Sequence, residues 1–483
     1  MFKPITTFCA MLVLAAAAFG AAPASAATLF TLDGHGWGHG IGMSQWGAYG
    51  YASHGWTHTR ILEHYFTATT VGTLPGASTE RVLLVSSRPS LHVTLGSSAS
   101  GVDGGGAEKQ LAAGSYRVDT GPVAGNLRLW SVSAGAYVWK AIAAPLRITP
   151  GSKPLRLDDT SVNGFGGDHW WGDFQVRRQG GSLSLIDLVG TEKYVQSVVP
   201  CEVSASWPEQ ALQTQAVASR SYAVATRNPS AAYDAVAGTS SQMYCPIEHN
   251  ATASNAATTA TRRQVVMHGG QVATTFFSAS SGGRTSSISA SWGGTDQPYL
   301  VPVNDRYDGA GGLNPNHTWA PKRYTRAGLA AALGLGHPVG SIDLTVDGPS
   351  QRVLSVDAHT SAGISTLTAG TVFARLGLRS TYFRILQLSL SAPASVDRGA
   401  SFTLRGRVRP AANVRLQAKH PGHGWTTSDV KLQLDGSGRF ALPRSPSTAV
   451  SYRLSRRHAF SPVVHVSVVA QGGLPISAET IPV

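Results

Sequence analysis

The segment VVPCEVSASWPEQALQTQAVASRSYAVA, residues 198–225, contains the clearest helical signal in the chain. Ser206 and Glu209 match a capping box, and Pro208 is tolerated in a first helical turn. Small and apolar residues then recur at the spacing of one helix face: Leu212, Ala216, Ser219 and Ala223. The segment predicts a helix that begins near Ser206 and ends before Pro229, because the residue preceding a proline disfavours helical geometry.

On both sides of this helix the pattern is that of β structure. Between about residues 80 and 190, short apolar runs alternate with Gly-rich turns. They predict strands at Arg81–Ser86, Leu91–Leu95, Ser115–Val118, Leu127–Val132, Tyr137–Ile142 and Asp173–Arg178. After Leu386, strands recur about every ten residues with turn signals between them, as in an Ig-like β-sandwich. The predicted fold is therefore α+β, with a mostly β core and a few helices over 27–386 and a sandwich over 387–483.

Residues 1–26 have the composition of a secretory signal peptide. Lys3 is followed by the apolar run Met11–Ala18 and by the small residues Ala24-Ser25-Ala26. A bilayer span needs about 20 apolar residues, and this run is shorter. We expect cleavage after Ala26 and export, with no transmembrane anchor elsewhere in the chain.

The charge balance favours an anionic partner outside the cell. Among the 483 residues there are 39 Lys and Arg against 26 Asp and Glu, and removal of Lys3 with the signal leaves a net charge of +12. Such an excess attracts anionic polymers, although it also serves solubility. For an exported protein this polymer is the cell wall, since no basic block or RNP-type motif indicates nucleic acid.

Two cysteines, Cys201 and Cys245, remain after removal of the signal. In an oxidising compartment a pair of cysteines predicts one disulfide. Two free thiols, or a mixed metal site using Cys245 and His249, are the alternatives that spacing leaves open. The chain has no CxxC motif, so the cysteine and histidine pattern does not support zinc, and we expect no cofactor.

Three segments contain candidates for chemistry. Glu202 lies just before the predicted helix, where Val203 and Trp207 could raise its pKa and the helix N-terminus could lower it; the alternative is a solvated carboxylate. The segment GHGWGHGIGMSQ, residues 34–45, places His35 and His39 among glycines that let a backbone approach a ligand closely. The Ser/Gly segment 278–285 offers hydroxyl and backbone donors for a sugar, or is a turn.

At these segments the chain resembles the SpoIID/LytB family. Residues 198–225 resemble its Glu and Trp-Pro signature, FFSASSGGRT at 276–285 its S-x-S-G-G-x-T segment, and GHGWGHGIGMSQWGA at 34–48 its G-H-G-x-G-M-S-Q motif. PYLVPVNDRYD at 298–308 and LGLRSTYF at 376–383 also resemble family segments. The N-terminal position of the G-H-G motif is that of actinobacterial-type members, and the zinc ligands of some relatives are not evident.

The resemblance implies a role in peptidoglycan remodelling. The family includes lytic transglycosylases, which cut glycan strands, and amidase enhancers, which bind the wall and stimulate an amidase. Glu202 aligns with the catalytic Glu of the former. The resemblance implies that the following residues contact substrate: His35, His39, Ser44, Gln45, Gln215, Arg220, Ser280, Ser281, Gly282 and Gly283. We expect the 34–45 segment to lie beside Glu202 and to line one cleft with Ser280–Gly283.

Overall fold

The computed structural model describes residues 28–158, 162 and 164–470. The predicted signal peptide, residues 1–26, lies outside this range. The α-helices are α1 (Gln45–Ser53), α2 (His58–Tyr65), α3 (Thr191–Glu202), α4 (Glu209–Ala225), α5 (Thr252–Ala260), α6 (Ile288–Trp292), α7 (Arg326–Ala332) and α8 (Ala369–Leu376), and short 3₁₀ helices cover Ile247–His249 and Ala310–Gly312. No helix in this part of the chain combines the length and apolar character needed to cross a membrane.

Strands dominate the described residues, so the predicted mostly β α+β fold is confirmed. In the first half they are β1 (Thr28–His35), β2 (Met43–Ser44), β3 (Thr70–Thr73), β4 (Thr79–Arg88), β5 (Ser90–Leu95), β6 (Ala99–Val102), β7 (Glu108–Leu111), β8 (Gly114–Thr120), β9 (Asn126–Ser131), β10 (Ala136–Ala143), β11 (Leu146–Thr149), β12 (Leu155–Leu157), β13 (His169–Trp170), β14 (Asp173–Gln179), β15 (Ser182–Gly190) and β16 (Ala235–Val236).

The remaining strands follow the central helices. They are β17 (Gln264–His268), β18 (Gln271–Val272), β19 (Phe277–Ser278), β20 (Thr318–Thr325), β21 (Ser341–Val346), β22 (Val353–Thr360), β23 (Gly363–Thr368), β24 (Phe383–Ser391), β25 (Ser395–Asp397), β26 (Phe402–Arg409), β27 (Arg415–Lys419), β28 (Thr426–Thr427), β29 (Arg439–Arg444), β30 (Val450–Arg456), β31 (Ala459–Phe460) and β32 (Val464–Val469).

The β region between residues 79 and 190 consists of two sheets around one core. Their strand orders are β10-β9-β8-β5-β12-β13 and β16-β4-β15-β14-β11-β6-β7. Alternation explains how they form, because every second residue of β9 and β5 is buried, as Leu127 and Leu129 show. Helices α3 and α4 pack on the same core through Val198, Val199 and Leu212.

A third sheet connects the start of the chain to its end, in the order β20-β1-β24-β26-β29. Strand β1 pairs with β24 antiparallel, with Leu29 opposite Leu388. The position predicted as a domain boundary, 387, therefore lies within β24. The C-terminal strands β25, β32, β30, β27 and β28 form a further sheet over a core that includes Leu404 and Leu454. An Ig-like topology for this region stays a prediction.

Helix α3, which contains Glu202, was not predicted from the sequence. Val195, Val198 and Val199 are β-branched and Pro200 lies inside its last turn, so local propensity argues against a helix. Tyr194, Val195, Val198 and Val199 are nevertheless buried together, at the spacing of one helix face. Packing against the β region overrides the propensity.

Helix α4 begins later than predicted. Its first residue is Glu209 and its N-cap is Pro208, so the predicted capping box from Ser206 to Glu209 does not form. The Ser206 hydroxyl is instead 2.9 Å from the Ser204 hydroxyl in the loop between the helices. The cap prediction is wrong because Glu209 occupies the first helical position and not the third.

Candidate active site

Glu202 is the last residue of α3, and the residue is partly exposed. One oxygen, Oε1, accepts a hydrogen bond from the backbone N–H of Met243 at 2.8 Å. The other, Oε2, accepts one from Nε2 of Gln45 at 3.3 Å. The carboxyl group is thus held from two sides by segments that are far from it in sequence.

Burial raises the pKa of Glu202 above its usual value, although the hydrogen bonds from Met243 and Gln45 act in the opposite direction. Among the described residues, no second carboxylate contributes to this shift. A carboxyl group with a raised pKa retains its proton at higher pH than an ordinary Glu does, and it can therefore donate that proton as a general acid.

A disulfide joins Cys201 to Cys245, with 6.4 Å between the Cα atoms. It connects the last turn of α3 to the segment that presents the Met243 N–H to Glu202. Because the sulfur of Cys245 is bonded to Cys201, it is not a thiolate available to a metal site with His249. His249 instead contacts the carbonyl oxygen of Gly166 at 2.5 Å through Nε2.

We expect loss of this disulfide to destabilise the protein. The bridge closes a loop across 44 sequence positions, and a loop of that length is worth about 2–4 kcal/mol of unfolding free energy. The double variant Cys201→Ala/Cys245→Ala should lower the free energy of unfolding by about this amount, which is measured as a lower midpoint of urea unfolding. An unchanged midpoint would show that the bridge does not constrain the chain.

Gln45 lies at the start of α1 and connects Glu202 to α4. Its Nε2 is also 3.4 Å from Oε1 of Gln215, whose own Nε2 donates to the Ser219 hydroxyl at 3.0 Å. Gln45 and Gln215 are both buried. This series of amide groups fixes the orientation of the Gln45 side chain, so that its amide donor faces the carboxyl group of Glu202.

Ser44 caps α1 and contacts a buried carboxylate, Asp308. The Ser44 hydroxyl accepts a hydrogen bond from the Gly47 N–H at 3.1 Å and donates to Asp308 at 2.7 Å. Asp308 also accepts hydrogen bonds from the backbone N–H groups of Ser281 at 3.0 Å and Gly282 at 3.1 Å. A single carboxylate therefore positions both the start of α1 and the Ser/Gly segment.

Further partners of Asp308 contact its oxygen Oδ2. The Ser280 hydroxyl donates to Oδ2 at 2.8 Å, Nδ1 of His317 is 2.7 Å from the same oxygen, and Nδ2 of Asn314 donates to it at 3.3 Å. Burial opposes ionisation of Asp308, but the hydrogen bonds from His317, Ser44 and Ser280 outweigh it and lower the pKa of Asp308. The hydrogen bond to Asp308 raises the pKa of His317.

The Ser/Gly segment lies close to the 34–45 segment, and its donors form hydrogen bonds with other groups of the protein. The Ser281 hydroxyl donates to Asp305 at 2.7 Å, and the Gly283 N–H donates to that hydroxyl at 3.1 Å. Gly282 has a φ of +75°, and a Cβ there would lie 2.5 Å from Cβ of His35. Only glycine allows the two segments to approach this closely.

Asp305 is a second buried carboxyl group in this network. Its oxygens accept hydrogen bonds from Tyr65 at 2.9 Å and Ser281 at 2.7 Å. Burial and the nearby charge of Asp308 raise its pKa to about 7. Asp305 therefore binds a proton more tightly in the folded protein than in the unfolded chain.

This shift predicts a pH-dependent stability that Asp305→Asn removes. As pH rises from about 4 towards 7, the folded state keeps the Asp305 proton and the unfolded state loses it, so the free energy of unfolding decreases. The slope due to this group is at most about 1.4 kcal/mol per pH unit. Comparing the variant with the wild type at each pH by urea unfolding cancels the other titrations. A stability difference independent of pH would contradict the assignment.

The two histidines of the 34–45 segment make their contacts with groups other than Glu202. Nε2 of His39 donates to the Phe277 carbonyl at 2.9 Å and its Nδ1 accepts the Ile41 N–H at 3.0 Å, which defines a neutral ring. Burial, with the charge of Arg352, lowers the pKa of His39 to about 4. His35 lies against the Tyr382 ring, 5.0 Å away, and burial lowers its pKa.

Arg220 is fully buried under the helices. Its guanidinium group forms two hydrogen bonds with Glu192, at 2.8 and 3.0 Å, and a third with the carbonyl of Gln264 at 3.1 Å. These contacts connect α4 to α3 and β17. The structure leaves Arg220 no exposed surface for a ligand.

One group of side chains in the described part of the chain has the spacing of metal ligands. Asp168, His169 and Glu248 place their ligand atoms within 4.8 Å of one another. Arg156 already forms an ion pair with Asp168 at 2.6 Å, and Glu248 lies 2.5 Å from the His169 ring. The carboxylates are therefore paired within the protein.

The structure thus brings Gln45 into contact with Glu202, and Gln215 contacts Gln45. Ser44 and Ser280–Gly282 contact Asp308 instead. The contribution of Met243 through its backbone N–H could not be identified from residue type. Asp305 and Asp308 lie in the segment PYLVPVNDRYD, which the family resemblance included without a role.

Comparison with known proteins agrees with this location. Residues 179–268 match the SpoIID family model, whose description is stage II sporulation protein. The matched residues include α3, α4, Glu202 and both cysteines. No curated protein and no solved structure was found to match the chain.

Proposed function

We propose, from the SpoIID domain that the chain carries at residues 179–268, that the protein is an exported peptidoglycan-remodelling enzyme. SpoIID domains are linked to cell-wall and peptidoglycan processes. The proposed activity is that of a lytic transglycosylase with Glu202 as its general acid and base. The observation that carries the proposal is the Glu202 carboxyl group, on a partly exposed residue, held at both oxygens and with a pKa raised by burial.

A single carboxyl group is sufficient for this reaction, whereas most glycosidases use two. Glu202 gives its proton to the glycosidic oxygen as the bond from that oxygen to the anomeric carbon breaks. The 6-hydroxyl oxygen of the same muramyl residue then bonds to the anomeric carbon, and its proton passes to the Glu202 carboxylate. The product ends in a 1,6-anhydro ring, no water is consumed, and the carboxyl group is regenerated.

The charge of the protein supports a wall substrate. With the predicted signal removed the net charge is +12, which attracts anionic wall polymers and concentrates the protein at the cell wall. The second candidate function is that of a non-catalytic amidase enhancer, in which the same surface binds glycan and a wall amidase performs the cleavage. The family resemblance favours both, and the geometry of Glu202 favours the enzyme.

The test is digestion of purified peptide-free glycan strands followed by mass spectrometry. A lytic transglycosylase yields fragments with anhydromuramyl ends, which are one water lighter than the products of hydrolysis. Reducing ends would indicate a hydrolase. Intact strands, together with faster release of stem peptides from whole, peptide-bearing peptidoglycan when a wall amidase is added, would support the enhancer and contradict the enzyme.

A further inference from the structure

Three aromatic side chains cluster on the surface near Glu202. The ring centroids are 5.0 Å apart for Trp46 and Trp207, 5.4 Å for Trp46 and Tyr49, and 5.3 Å for Tyr49 and Trp207. All three side chains are partly exposed. We refer to Trp46, Tyr49 and Trp207 as the aromatic cluster.

The cluster lies on the two chain segments that adjoin Glu202. Trp46 directly follows Gln45, whose amide donates to Glu202. Trp207 belongs to the loop that leaves Glu202, and its backbone N–H donates to the Ser204 carbonyl at 3.0 Å. The contact between the Trp46 and Trp207 rings therefore joins the two segments that flank Glu202.

The polar atoms of the cluster are free to bind a ligand. Within the described residues, the indole nitrogens of Trp46 and Trp207 and the hydroxyl of Tyr49 make no hydrogen bond, and none is among the buried polar atoms without a partner. These atoms therefore reach solvent. The indole nitrogens of Trp170 and Trp319, by contrast, are buried without a partner.

A partly exposed aromatic surface with free donors at its edges suits a sugar ring. The C–H face of a pyranose is apolar and packs on an aromatic ring, while its hydroxyl and acetamido groups accept hydrogen bonds from indole N–H and phenol O–H groups. We propose that the aromatic cluster binds an N-acetylated pyranose of the glycan strand, next to the bond that Glu202 protonates. This inference rests on the proposed function.

The experiment measures binding of peptide-free glycan strands to the non-cleaving Glu202→Gln protein by calorimetry. Adding Trp46→Ala or Tyr49→Ala should weaken binding about tenfold, as truncation of an anchoring aromatic residue does. Trp46→Phe should retain most of the affinity, because it keeps a ring. Trp130→Ala is the control, since Trp130 is a partly exposed residue that pairs with Tyr137 at 5.0 Å in the β region. Thermal unfolding checks that each variant folds.

In the active protein, the same substitutions should raise KM more than they lower kcat, because the cluster holds substrate and does not transfer the proton. Equal affinity of the Trp46→Ala and parent proteins, or no glycan binding by either, overturns the inference. If the wild type does not cleave glycan but cluster variants still lose binding, the proposed activity fails and only the sugar-binding role of the cluster stands. If the wild type cleaves glycan and the cluster variants bind it normally, the proposed activity stands and the inference about the aromatic cluster fails.

Discussion

Glu202→Gln should abolish glycan cleavage while leaving the fold and glycan binding intact. The amide keeps the size of the side chain and can still accept a hydrogen bond from the Met243 N–H, but it has no proton to donate to the glycosidic oxygen. Removal of a general acid costs about 10²–10⁴-fold in rate. We expect the release of anhydromuramyl ends to fall by at least the lower of these factors, measured by mass spectrometry at fixed enzyme and glycan concentrations.

Glu209→Gln is the matched control for this substitution. Glu209 begins α4, is exposed, and accepts a hydrogen bond from Gln213 at 2.7 Å, so its loss tests the effect of charge without touching the site. Its cleavage rate should equal that of the wild type. Cleavage by the Glu202→Gln variant at the wild-type rate would exclude Glu202 as the acid.

The pH dependence of the reaction gives an independent readout. The acid form of Glu202 is the reactive one, so activity should decline as pH rises through its pKa. Because burial raises that pKa, the decline should occur at higher pH than for an ordinary Glu. The control Glu209→Gln should have the same pH profile as the wild type.

Local patterns predicted most of the β region. The two-residue alternation identified the strands that contain Leu91 and Leu127. Each of these strands buries one face, and the alternation of apolar and polar residues indicates which face is buried. The prediction failed for α3, where packing of Tyr194 and Val198 decides the conformation.

The candidate site was predictable only in part, for a physical reason. Sequence motifs identify residue types, and the resemblance implied that Gln45, Ser44 and Ser280 contact substrate. The structure shows their neighbours: Gln45 faces Glu202, whereas Ser44 and Ser280 donate to Asp308. A buried carboxylate that collects donors from distant segments leaves no local pattern, because each donor is an ordinary serine or backbone group.

Asp308→Ala should therefore be among the most destabilising single substitutions in the chain. It removes the acceptor of the Ser44 and Ser280 hydroxyls, of two backbone N–H groups at Ser281 and Gly282, and of His317. Buried donors left without a partner each cost about 1–3 kcal/mol, although partial rearrangement reduces the sum. We expect the free energy of unfolding to fall by about 3–5 kcal/mol, measured by urea denaturation.

The same substitution should affect cleavage through α1. Loss of the Asp308 contact frees the Ser44 cap, and α1 begins at Gln45, the residue that orients Glu202. At temperatures where the variant is still folded, its cleavage rate should fall although it retains Glu202. Asp435→Ala is the control, because Asp435 accepts hydrogen bonds only within an exposed turn. If the Asp308→Ala protein is as stable as the wild type, the network does not support the site. If the variant is destabilised but cleaves glycan at the wild-type rate, Gln45 is positioned independently of Asp308.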